Sequence, residues 1–229
     1  MNGFPDGLIK ICGIRRPDDA AVCLEAGVDC VGFIFHPSSP RFLQPQEAAG
    51  IDTGRAKRVG VFVKQGSDEV LRIMDQAKLD LAQLHGGQSP EFIELIGPER
   101  VISVQWPEKH NRPDDFAQAL RLVSRAAFHL FDAGDGGGGH GRAFELERLK
   151  LVQTPRPWLL AGGLDAERVD QFSVEDCPGL IGFDFNSGLE DEPGRKNKSK
   201  IEAAVKAARL FFKKRWGGGQ SRHQAELDG

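Results

Sequence analysis

The sequence predicts an α/β fold, a single (β/α)8 TIM barrel, from the number, the spacing and the character of its apolar runs. Eight short runs rich in Val, Ile, Leu and Phe begin near residues 8, 29, 58, 80, 100, 128, 157 and 180. Successive starts lie 21, 29, 22, 20, 28, 29 and 23 residues apart. Each run is nearly continuous rather than alternating, which suits strands buried on both faces. Strands that alternate with helices pair in parallel through right-handed crossovers. Eight such units within residues 1–212 close into a compact barrel. An open doubly wound sheet is the alternative, because spacing alone does not register closure.

Helix signals fill the intervals in order. Pro17 with Asp18 and Asp19 opens the first helix, and Gly27 stands just past its apolar stripe. The second unit, near residues 45–52, is the weakest, since Pro45 and Gly50 leave a poor helix. Ser67 ahead of Asp68 and Glu69 is the expected cap of the next, with Val70, Ile73 and Ala77 at helical spacing. Ser89-Pro90-Glu91 starts another that stops at Gly97-Pro98, and Pro113-Asp114-Asp115 starts one through Leu122. The sixth connection is glycine-filled ahead of a short helix near 145–150. Asp165 caps a helix through Phe172. Ile201, Ala204, Val205, Ala208 and Phe212 form the stripe of the last. Residues 213–229 read as a flexible tail, with Gly217–Gly219 arguing against a longer helix.

Composition excludes several classes of function. Thirty Lys and Arg against 33 Asp and Glu give a net charge of −3, which is no general field for nucleic acid. No apolar run approaches the ~20 residues of a membrane span. The opening MNGFPDGLIKICG has no apolar h-region, so a secretory signal is not expected. Cys12, Cys23, Cys30 and Cys177 show neither a C-x-x-C pair nor zinc spacing, which points to a reducing, cytoplasmic compartment. No dinucleotide fingerprint opens a helix, and no H-x-H stands on the first strand. Lys64 is the sole lysine just past a strand end, so Schiff-base chemistry is disfavoured. No cofactor and no metal are expected.

In such barrels the reacting groups gather at the carboxyl ends of the strands. There stand Cys12, Arg41, Gln83, Asp132 and Asp184, with two glycine turns, Ala161-Gly162-Gly163 and Asn186-Ser187-Gly188. Paired glycines after strands seven and eight let backbone N–H groups approach an anion, the place where this architecture often holds phosphate. A tight strand-to-helix turn is the plainer reading of the same glycines. Cys12 and Asp132 are the candidate acid–base pair: a thiolate serves as base where cations favour it, and a carboxyl as acid where its proton is retained. By position alone, a strand-end cysteine is more often an apolar filler, as Cys23 and Cys30 are expected to be. Arg41 offers a planar fork to a carboxylate if it points into the mouth.

Seven segments, in order along residues 8 to about 212, carry a family resemblance. They are Lys10–Ile14 (KICGI), Phe33–Arg41 (FIFHPSSPR), Val59–Val63 (VGVFV), Gln83–Gly86 (QLHG), the Asp132 strand end, Leu159–Leu164 (LLAGGL) and Phe183–Glu190 (FDFNSGLE) with Pro193-Gly194-x-Lys196. Together they resemble phosphoribosylanthranilate isomerase of tryptophan biosynthesis. The resemblance implies a cofactor-free barrel that performs an Amadori rearrangement of N-(5-phosphoribosyl)anthranilate to 1-(2-carboxyphenylamino)-1-deoxyribulose 5-phosphate. It implies Cys12 as general base, Asp132 as general acid and Arg41 against the anthranilate portion. Gln83, Gly162, Gly163, Asp184, Ser187 and Gly188 complete the expected substrate contacts. The run Gly136–Gly139, His140, Gly141 departs from the family's sixth loop, and its glycines suggest closure over substrate. A related aldose–ketose isomerase of histidine biosynthesis, which has an aspartate where Cys12 stands, and a non-catalytic sugar-phosphate-binding regulator are the rivals. A small-molecule substrate and a monomeric or homodimeric state are expected, with no nucleic-acid or membrane partner.

Overall fold

The computed structural model describes residues 7–110, 112–132, 154, 156–175 and 177–217. The expected glycine loop at 136–141 and the short helix near 145–150 lie outside the described residues. Eight parallel strands close into a barrel in chain order, which rules out the open doubly wound sheet. They are β1 (Leu8–Ile11), β2 (Cys30–Ile34), β3 (Lys57–Phe62), β4 (Leu81–Leu84), β5 (Val101–Gln105), β6 (Phe128–Asp132), β7 (Trp158–Ala161) and β8 (Leu180–Phe185). The seam is β1 against β8, with Lys10 opposite Asp184 and Ile11 opposite Phe185.

Around them run α1 (Pro17–Glu25), α2 (Pro45–Gly50), α3 (Ser67–Gln76), α4 (Pro90–Ile96), α5 (Pro113–Leu122), α6 (Ala166–Asp170) and α7 (Lys198–Gly217). The weak α2 forms because the Glu47 carboxylate accepts from the backbone N–H of Gln44 (3.0 Å) while Pro45 occupies its first turn. Arg58 on β3 then donates to the carbonyls of Ile51 (2.8 Å) and Ala77 (3.1 Å), satisfying the ends of α2 and α3 together. Ser89 and Asp165 cap as expected, accepting from Phe92 (3.3 Å) and Arg168 (2.9 Å). Ser67 does not cap. It is the first helical residue, and Gly66 holds the cap position.

The helical stripe of α7 is buried, and the helix continues past the expected boundary at 212 to Gly217. Arg215 explains the extension by donating to the Cys177 carbonyl (2.8 Å), which fixes the last turn to the barrel. Residues 218–229 lie outside the described part. A two-stranded antiparallel pair, β9 (Glu190–Glu192) with β10 (Arg195–Lys196), stands between β8 and α7. Among the described residues no helix is long and apolar enough to cross a membrane.

The period of two along each strand sorts side chains into two cores. Leu8, Cys30, Val59, Ile102, Leu130 and Leu159 fill the barrel interior. Their neighbours Ile9, Ile11, Val31, Phe131, Leu160 and Phe183 pack outward against the helices. Trp158, fully buried on that outer face, stacks on Phe131 at 4.8 Å and donates its indole N–H to the Pro178 carbonyl (3.0 Å). Truncating such a residue to alanine costs about 3–5 kcal/mol. Cys23 and Cys30 are buried within these cores, the fillers they were expected to be.

Candidate active site

The carboxyl ends of the strands surround a cavity of about 780 Å³. Cys12, directly after β1, and Asp132, the last residue of β6, both line it. So do Arg41, Gln83, Gly162, Gly163, Asp184 and Ser187. Gly188 does not. A side chain there would collide with the Leu164 carbonyl, so its glycine serves the packing of one turn on another.

Cys12 is held by its backbone N–H, which donates to the Phe185 carbonyl (2.8 Å). Its thiol sits among charges. Burial pushes the thiol up from its ordinary range, Lys10 opposes that shift, Asp184 adds to it and Lys196 opposes it. Asp132 lies 3.5 Å from His85 Nε2. Burial, together with the charges of Lys10 and Lys109, lowers His85 to about 4. The imidazole beside Asp132 is therefore neutral at neutral pH, and the contact is not an ion pair. Its Nδ1 is buried with no partner among the described residues, and the ring meets Trp106 edge-on at 5.2 Å.

Arg41 reaches the mouth and is oriented there by a second carboxylate. Its Nε donates to Glu190 Oε1 (2.9 Å) and its Nη2 to Oε2 (2.6 Å), a bidentate pair. Lys196 backs that pair, donating to Glu190 Oε1 (2.8 Å) and to Asn186 Oδ1 (2.9 Å). Burial would push Glu190 up, but Arg41 and Lys196 outweigh it and hold the carboxyl below its ordinary range. One edge of the guanidinium is thus fixed. The other, through Nη1, has no partner among the described residues and is available to a ligand carboxylate.

Asp184 was expected among the substrate contacts. Its two oxygens already accept from Lys10 Nζ, each at 2.8 Å. Gly162 and Gly163, which line the cavity, take φ of 106° and 60°, where side chains are rarely tolerated. Among the described residues no cluster of three or more His, Cys, Asp or Glu could hold a metal ion.

Sequence reasoning missed Lys10, His85, Trp106, Glu190 and Lys196 as parts of this site. For Lys10 a signal existed, since residues two apart on a strand share a face and Lys10 lies two before Cys12. Glu190 and Lys196 stand in the quoted motif and lie six residues apart, but the partner that ties them to the site, Arg41, is 149 positions from Glu190.

A family model described as N-(5'-phosphoribosyl)anthranilate (PRA) isomerase matches residues 9–207. A protein of that name from Maridesulfovibrio salexigens is 49% identical over 201 residues, spanning 87% of this chain and 97% of its own. The phosphoribosyl anthranilate isomerase of Thermotoga maritima superposes with a TM-score of 0.77 at 30% identity, covering 89% of this chain and 99% of that one. Another isomerase of this kind, solved with reduced 1-(o-carboxyphenylamino)-1-deoxyribulose 5-phosphate, superposes at 0.72 with 28% identity, covering 89% and 99%. Matched in sequence and in fold along most of its length, the chain belongs to the N-(5'-phosphoribosyl)anthranilate isomerase family.

Proposed function

We propose that this chain converts N-(5'-phosphoribosyl)anthranilate to 1-(2-carboxyphenylamino)-1-deoxyribulose 5-phosphate in tryptophan biosynthesis, with Asp132 as general acid and Cys12 as general base. One observation carries the reading: a thiol from the β1 end and a carboxyl from the β6 end line a single cavity with Arg41 and the Gly162–Gly163 turn.

Asp132 donates a proton to the ribose ring oxygen as the bond from that oxygen to C1 breaks, leaving an iminium on the anthranilate nitrogen. That cation acidifies the neighbouring C2 hydrogen, which the Cys12 thiolate removes to give an enolamine. The enolamine tautomerises to the ketone: C1 gains a proton and the C2 hydroxyl loses one. The free edge of Arg41 takes the anthranilate carboxylate, and backbone groups at Gly162 and Gly163 with Ser187 take the phosphate. A relative solved with a reduced form of that product supports the same ligand class here. The reaction needs no cofactor or metal. We place it in the cytoplasm, as a monomer or homodimer.

The test is consumption of fluorescent phosphoribosylanthranilate by the purified protein, with and without EDTA. Cys12→Ala and Asp132→Ala each lower kcat by about 10²-fold or more. Full activity in either variant overturns the roles, and sensitivity to EDTA overturns the metal-free mechanism.

A further inference from the structure

Lys10 is fully buried in the barrel interior, on the face of β1 that also carries Cys12. Two of its three N–H donors go to Asp184, at 2.8 Å each, and its charge acts on the Cys12 thiol. The neighbouring strand makes room for this meeting. A Cβ at Gly32 would stand 2.8 Å from Cys12 Sγ and 3.0 Å from Lys10 Nζ, so both atoms converge on the space its glycine leaves empty. A lysine deep in an apolar barrel is costly unless each proton is used. Here Asp184 uses two, and the Cys12 thiol stands close by across the space at Gly32.

We propose that Lys10 is a positioning residue for the isomerisation, holding the Cys12 thiolate in place from within the barrel while Asp184 keeps Lys10 cationic. The proposal rests on Cys12 being the base. The charge arrangement gives it a definite sign. Burial alone would lower Lys10, yet the Asp184 carboxylate and the Cys12 thiol hold it above the ordinary ammonium range. Lys10 from β1, Asp184 from β8 and Lys196 from β10 act on the thiol. Farther along the mouth stand the Arg41–Glu190 pair, His85 and Asp132. Losing Lys10 removes the cation nearest in effect to the thiolate, whereas losing the Asp184 charge frees Lys10 to serve the thiolate alone.

The experiment titrates alkylation of Cys12 by iodoacetamide against pH, alongside the pH profile of kcat/KM. Cys12→Ser supplies the background from Cys23, Cys30 and Cys177, which are all buried. Lys10→Met moves the alkylation midpoint up by about one pH unit or more. Asp184→Asn moves it down, and Lys10→Arg restores most of the wild-type value. The acid limb of kcat/KM moves with each. Should Lys10→Met fail to fold, Lys10→Met/Asp184→Asn leaves no net buried charge behind and still moves the midpoint up. An unmoved midpoint, or shifts of the same sign in Lys10→Met and Asp184→Asn, overturns the proposal and leaves Lys10 a structural residue. Alkylation reads the thiol without requiring turnover. If the midpoints move as stated while Cys12→Ala keeps full activity, the base role fails and the Lys10–Cys12 coupling stands.

Discussion

Lys10 and Asp184 lie 174 positions apart in sequence and directly opposite each other across the strand pair that closes the barrel. Neither side chain is more than 5% exposed. A buried ion pair is weak evidence for stability, because desolvation of two charges offsets most of their attraction. Breaking one is another matter, since it leaves an unpaired charge in the interior. Asp184→Leu is therefore expected to cost about 3–5 kcal/mol, and Lys10→Met/Asp184→Leu to recover most of that loss. Urea denaturation of the two variants and the wild type measures the coupling. If the double variant is as unstable as the single one, the seam depends on this pair rather than merely tolerating it.

Arg41 and Glu190 give a prediction on binding. The carboxylate of Glu190 fixes one edge of the guanidinium, and Lys196 balances its charge. Glu190→Gln loses the bidentate grip and leaves two cations with one neutral partner. With Arg41 on the substrate carboxylate as proposed, bound alike in substrate and transition state, KM rises by about tenfold with kcat within about twofold. The pH sign follows from a carboxyl held below its ordinary range. Its contribution is present above the unfolded glutamate value and is lost only as pH falls through the lowered folded value. Wild-type KM thus rises at the acid end, and the variant's KM is already high there. A large fall in kcat with unchanged KM would assign Glu190 to the chemistry instead.

Gly162 tests the phosphate turn. At φ 106° a valine costs about 1–3 kcal/mol of backbone strain and adds bulk where the backbone faces the cavity. Gly162→Val weakens competitive inhibition by inorganic phosphate by about tenfold or more. Undiminished inhibition by phosphate moves the anion site elsewhere on the mouth.

The eight strands and the positions of Cys12 and Asp132 at one end were legible because they depend on local pattern: apolar runs, breakers between them, and the rule that strand ends share a mouth. The Lys10–Asp184 and Arg41–Glu190 pairs were not. Each joins residues more than a hundred positions apart, and their meeting depends on barrel closure and strand register, which no window of sequence contains. Gly188 shows what position alone leaves open. It sits in the right loop by position, yet its neighbour Ser187 faces the cavity while Gly188 faces the Leu164 turn. Residues 213–217 read as tail because Gly217 opens a run of three glycines, and the Arg215 bond to Cys177 carries the helix as far as Gly217.

His129 yields a prediction on stability alone. It points outward from β6, has no exposed surface, and neither ring nitrogen has a partner among the described residues. Burial, with the nearby charge of Arg156, lowers it to about 4. The unfolded chain takes up this proton below about pH 6.5, while the folded chain refuses it until about pH 4. Between those limits the unfolded state binds more protons, so stability falls as pH drops, by about 1.4 kcal/mol per pH unit for one full proton. His85, also lowered to about 4, adds a second such group. His129→Leu removes one of the two and relieves a buried polar ring of its desolvation. The variant is expected to be more stable at neutral pH by about 1–3 kcal/mol and to lose about half of the acid slope. Urea midpoints at neutral pH and near pH 5 measure both. A variant that is less stable at neutral pH with the slope intact would mean that the ring holds a hydrogen bond worth keeping.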